Sequence, residues 1–91
     1  MKKEIKKFVR VAEKIIKIIE KEINENVTLD DLFIENLNYR RKVDYIILET
    51  EIIKYYKLKE NIRLFDLILL KKHKNDIKVV DLVELVCELL P

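Results

Sequence analysis

The sequence predicts an all-α protein, a compact bundle of about four helices folded as a single domain over residues 1–91. Three observations lead there. Gly and Ser are absent and the one Pro is Pro91, so the interior lacks the usual residues for positive-φ turns and for locking φ. Lys, Glu, Leu and Ile dominate, a composition that favours helices joined by short polar loops, although the many β-branched residues weaken propensity as an argument. Periodicity therefore decides, and apolar residues recur at spacings of three and four along most of the chain.

In the first segment, Ile5, Phe8, Ala12, Ile15, Ile19 and Ile23 mark one face of a long amphipathic helix from Lys2 to Ile23. Val9, Val11, Ile16 and Ile18 widen that face, which predicts packing against more than one neighbour. Glu4, Glu13, Glu20 and Glu22 share its polar side and argue against an anionic membrane surface. Asn24-Glu25-Asn26 ends the helix, because Asn tolerates the left-handed C-cap conformation that Gly otherwise supplies. Thr28 then caps a short turn over 29–33, with Asp31 three residues on. The apolar Leu29, Leu32, Phe33 and Leu37 predict that this loop packs under the helices as far as Tyr39.

Arg40, Arg41 and Lys42 precede a second helix, whose inward stripe is read as Val43, Ile46, Ile47, Ile53 and Tyr56. Three cations at a helix N-terminus oppose the macrodipole, at about 0.3–1 kcal/mol each when exposed, and Asp44 offsets part of that. A cluster that breaks a local rule points to use, and these three residues form the candidate partner-binding site. Asn61 is read as the N-cap of a third helix ending near Leu70, with Ile62, Phe65, Ile68 and Leu69 inward and Leu64, Leu67 and Leu70 partly off that face. Lys71, Lys72, His73 and Lys74 suit its C-terminus, so His73 reads as an exposed end-of-helix residue. After a loop opened by Asn75 and Asp76, Val80, Val83, Val86, Cys87 and Leu90 trace a terminal helix over 79–90.

Net charge is +2. It alternates along the chain, positive through 1–23, negative through 24–39, positive through 40–78 and negative after that. No segment is basic enough to require nucleic acid. Cys87 alone excludes an internal disulfide, and with one His no ordinary Cys/His zinc site exists. No metal ligand and no cofactor site is expected. Without Gly there is no phosphate-cradling loop, and without Ser there is no serine nucleophile. Glu49 and Glu51 face different directions on their helix, and Cys87 lies on an apolar stripe. No catalytic residue is predicted and the chain is not expected to be an enzyme. The apolar runs are too short to span a bilayer and no cleavage signal follows the N-terminus, so a cytoplasmic protein is expected.

Taken together, the long first helix, the loop VTLDDLFIENL, the second helix ending in Tyr55 and Tyr56 and the closing IKVVDLVELV resemble acyl carrier proteins and their peptidyl-carrier relatives over most of the chain. In that family a loop with Phe or Leu, then acid-Asp-Leu-Gly, leads to Asp-Ser-Leu at the start of the second helix. Phe33, Glu35, Asn36 and Leu37 match the first part, and Asn38 stands where Gly would be. Ile77, Val80, Asp81, Leu82 and Val83 match the family's approach to its last helix. The family's serine carries a phosphopantetheine arm; here Arg41 aligns with it without a gap, or Lys42 with one inserted residue. The stretch from Tyr56 to Ile77 is longer than in the family, and the start of the second helix is basic where the family's is acidic.

The resemblance implies a carrier-like bundle that cannot hold a serine-linked arm and acts through a protein partner, such as an enzyme of acyl or peptidyl carrier pathways, at Arg40, Arg41 and Lys42. Two other readings stand beside it. One is a basic helical module for a polyanion such as nucleic acid, using the same cluster with Lys54, Lys57 and Arg63. The other is a homo-oligomerising helical domain without a ligand, suggested by the broad apolar stripes.

Overall fold

The computed structural model describes residues 2–72 and 76–91. The expectations for His73, Lys74 and Asn75 lie outside the described residues. The chain forms α1 (Lys2–Ile23), α2 (Lys42–Tyr56), α3 (Leu64–Lys72) and α4 (Val79–Leu89), an all-α bundle of four helices. Its centre is α4, whose Val79, Leu82, Val83 and Val86 are wholly buried and whose Leu85 is nearly so. A helix apolar on almost every side must be enclosed by its neighbours. Here α1 and α3 pack directly on α4, and α2 closes the bundle against α1 and α3.

Helix ends are made without glycine. Asn24 takes φ 57° and its N–H donates to Glu20 O at 2.7 Å, the left-handed cap that the sequence predicts for α1. Lys57 ends α2 in the same way at φ 55°, and the N–H of Leu58 donates to Ile53 O. The loop from 24 to 41 is ordered by α4 and the residues just before it. Asp31 O accepts the N–H of Val79 and Leu29 O that of Val80, so loop carbonyls cap the first turn of α4. Phe33 N–H donates to Ile77 O at 2.9 Å. The Asp76 carboxylate in turn accepts the N–H groups of Ile34 and Glu35. Phe33 and Leu37 are buried and Leu29 packs against the core, as their apolar character requires.

Three helical stripes turn out differently from the sequence reading. In α1, Ile5 and Val9 at the N-terminal end of the expected apolar face are exposed. In α2 the inward residues are Leu48 and Ile52, both wholly buried, with Tyr45 and Tyr56 partly buried beside them. Val43, Ile46 and Ile47 instead face solvent at 46%, 42% and 49% exposure. The reason is that α2 is apolar on two faces, so periodicity alone does not say which one meets the core. In α3, Leu64 is wholly buried while Leu69 and Leu70 are exposed, and the helix starts at Leu64 rather than beside Asn61.

Its start is fixed by a residue from another helix. Glu49 on α2 is buried, and its Oε1 accepts the N–H of Phe65 at 3.0 Å. No Ser, Thr, Asp or Asn stands immediately before Leu64, so a side chain of α2 supplies the cap that the local sequence lacks. Burial raises the Glu49 carboxyl above its ordinary 4.5, against the lowering effect of the Phe65 hydrogen bond.

Candidate functional site

The start of α2 is held from below by aromatic packing. Phe33 and Tyr39 from the loop, Tyr45 from α2 and Phe65 from α3 meet in a cluster of tilted and edge-on rings, with Tyr45 and Phe65 closest at 4.8 Å between centroids. Such contacts add about 0.5–1.5 kcal/mol each beyond area burial. Polar groups complete the anchor. Tyr39 donates its O–H to Glu22 Oε2 at 2.8 Å and Tyr45 donates its O–H to Tyr39 O at 2.5 Å. Glu22 Oε1 is buried with no partner among the described residues. Burial raises the Glu22 carboxyl, Tyr39 works in the opposite direction, and the nearby carboxylates Glu51 and Asp44 raise it further. Burial also drives the Tyr39 phenol far above its usual range.

On this base the chain turns through Asn38, at φ 58°, and enters α2 with Arg41 as N-cap. Arg40, Arg41 and Lys42 are all exposed. The structure brings them together at one end of the helix, with two of them partly engaged. Arg40 Nε donates to Asn38 Oδ1 at 2.8 Å, and Arg41 Nη2 lies 3.1 Å from Asp44 Oδ1. Asp44 Oδ2 also accepts the N–H of Arg41 at 3.2 Å, tying the first turn. Lys42 has no such partner among the described residues. An exposed ion pair of this kind contributes at most about 1 kcal/mol, so Arg41 is readily given up to a better anion.

Beyond the cations runs the outward apolar face of Val43, Ile46 and Ile47. Ile46 forms a ridge. On one side Ile46 and Ile47 line a groove against α1 with Ile18, Lys54 and Tyr55. On the other, Ile46, Lys42, Arg63 and Leu69 line a cleft of about 280 Å³ between α2 and α3. Lys54 and Arg63 therefore lie on opposite sides of α2: Arg63 shares the cleft with Lys42, whereas Lys54 lines the other groove and is not gathered with them.

No family model, curated protein or solved structure matches this chain. The site must accordingly be read from its own chemistry. Glu49 is occupied as the cap of α3. Burial pushes the half-buried Cys87 thiol up, and Lys7 works in the opposite direction. Among the described residues no three of His, Cys, Asp and Glu gather to hold a metal, and no helix is long and apolar enough to cross a membrane.

Sequence reasoning missed two features here. Glu49 stands on the same stripe as Leu48 and Ile52, and a lone acid there is legible as a cap only once the uncapped start of α3 is noticed. The Glu22–Tyr39 bond joins residues that no local pattern connects.

Proposed function

We propose that this protein is a non-catalytic interaction module of the carrier-protein type that docks an acidic protein partner, an enzyme of acyl or peptidyl carrier pathways, through the N-terminal half of α2. The observation that carries the reading is the juxtaposition of Val43, Ile46 and Ile47, all exposed, with the cations Arg40, Arg41 and Lys42. An apolar centre with a charged rim is the usual anatomy of a protein interface. The cations select an acidic partner and speed its approach. A second copy fits less well, because antiparallel pairing of two α2 faces would bring Lys42 toward Lys54 of the other copy. Support for the carrier resemblance comes from the order of helices, the packed first loop, and Asn38. That residue aligns with the family's glycine and takes the positive φ that glycine adopts without cost. Arg41 or Lys42 occupies the place of the arm-bearing serine.

Titrating the isotope-labelled protein with carrier-pathway enzymes and following amide shifts tests the reading. Shifts should cluster on residues 40–47 and vanish in Arg40→Gln/Arg41→Gln/Lys42→Gln, whose melting temperature should be unchanged or slightly raised because helix-end repulsion is relieved. Shifts centred on another face, or a triple variant that binds as before at low salt, would rule this docking surface out.

A further inference from the structure

The cations of α1 form a line that the function above does not use. Lys7, Arg10, Lys14, Lys17 and Lys21 recur at alternating spacings of three and four, and Lys6 lies beside them. At 1.5 Å per residue the line runs roughly 21 Å along one edge of the helix. Lys7 Nζ donates to Leu90 O at 2.7 Å, and Lys14 Nζ sits 4.2 Å from the ring centre of Tyr55. Lys6, Arg10, Lys17 and Lys21 are exposed, and none of them makes an ion pair within the described residues. At its N-terminal end the line borders an open groove of about 580 Å³, against the C-terminal ends of α2 and α4. Every ionisable side chain lining this groove is Lys, Arg or Tyr, and no carboxylate side chain is among them. Tyr55 is 55% exposed yet held in place, edge-on to Tyr56 at 4.8 Å with the Lys14 ammonium over its ring.

The geometry points to this α1 edge and the Tyr55 groove as a binding surface for single-stranded nucleic acid, with phosphates along Lys6, Arg10, Lys17 and Lys21 and a base against Tyr55. Such surfaces combine a cationic track for the backbone with a fixed aromatic ring, which tolerates any base because every base has a π-face. A lipid surface fits less well. The exposed apolar residues of α1, Ile5 and Val9, lie around the helix beyond Glu13 and Glu20, whereas a membrane-surface helix sets its cations beside its apolar face. The surface is separate from Arg40–Lys42 and does not depend on the role proposed for them.

Fluorescence anisotropy with a labelled oligothymidylate tests it. Four neutralised phosphates on a single strand give a log–log salt slope of about −2.8, which is a loss of about 50-fold between 50 and 200 mM salt. Lys6→Gln/Arg10→Gln/Lys17→Gln/Lys21→Gln should abolish binding, Tyr55→Ala should weaken it about five-fold or more, and Tyr55→Phe should preserve it. Arg40→Gln/Arg41→Gln/Lys42→Gln should bind as the natural protein does, which separates this surface from the α2 site. Circular dichroism confirms that each variant is folded. The assignment is overturned if the oligonucleotide does not bind at 50 mM salt, or if the four-Gln variant binds it normally. It is equally overturned if phosphatidylserine vesicles bind in its place. Competition by polyglutamate at equal charge with no effect of Tyr55→Ala would reduce the surface to charge alone and also refute it.

Discussion

Glu49 offers the sharpest test of the structure, because its role depends on a contact between two helices that the sequence does not announce. Its Oε1 is the acceptor for Phe65 N–H at a buried site. Glu49→Leu keeps most of the volume but leaves that N–H unpartnered, at a cost of about 1–3 kcal/mol. In a domain of this size each kcal/mol moves the melting temperature by about 4–8 °C, so a fall of roughly 4–24 °C is expected. Glu49→Gln retains a carbonyl acceptor and cannot ionise. The folded-state pKa of Glu49 is raised, so the stability linked to this group is complete below the ordinary carboxyl value and is lost as pH rises through the raised one. Glu49→Gln removes that loss and should gain on the natural protein as pH rises from the ordinary carboxyl value toward neutrality. Glu22, whose pKa is raised in the same direction, is present in both proteins and cancels in the comparison. Thermal melts of the three proteins across this range decide the matter. If Glu49→Leu melts within a degree or two of the natural protein, or Glu49→Gln falls as far as Glu49→Leu, then Glu49 does not cap α3.

Two further outcomes are expected from the same packing. Leu48→Ala should cost about 2–5 kcal/mol whereas Ile46→Ala should stay within about 0.5 kcal/mol, as read by denaturant unfolding. The reverse order would restore the stripe that periodicity alone suggests. Incubation with coenzyme A and a phosphopantetheinyl transferase should leave the intact mass unchanged, since neither Arg41 nor Lys42 offers a hydroxyl at the start of α2; a mass gain of one arm would place the modification elsewhere.

The parts of the fold legible in the sequence are those where a single face is apolar. α1 is legible over most of its length because its polar side is unambiguous, although Ile5 and Val9 at its start lie in solvent, and its termination at Asn24 follows from residue chemistry alone. The packed loop was legible too, since Phe33 and Leu37 have no tolerable place in water. α2 was not, because Val43, Ile46 and Ile47 compete with Leu48 and Ile52 for the core and only the partner helices settle the choice. α3 could not be bounded locally, as its cap belongs to Glu49. At the candidate site the three cations were evident from their conflict with the helix dipole. That they share a surface with Ile46 and Ile47 is not legible there, because helical periodicity equally allows those side chains to point inward. The alternating line of cations on α1 was visible in the sequence but was obscured there by the acids interspersed with it.

The dependence of the first loop on the last helix also bears on how the chain acquires its structure. Asp31 and Leu29 have no helix to cap, and Ile34 and Glu35 no carboxylate to donate to, until residues 76–80 are present. During synthesis from the N-terminus, α1 and α2 therefore emerge with an unclosed segment between them. Pairing over some forty positions carries a loop-closure cost before it returns any contact. The surface formed by the loop and the start of α2 is thus a late product of folding, and a chain cut short before Asp76 would present the cations of α2 without the platform that orients them.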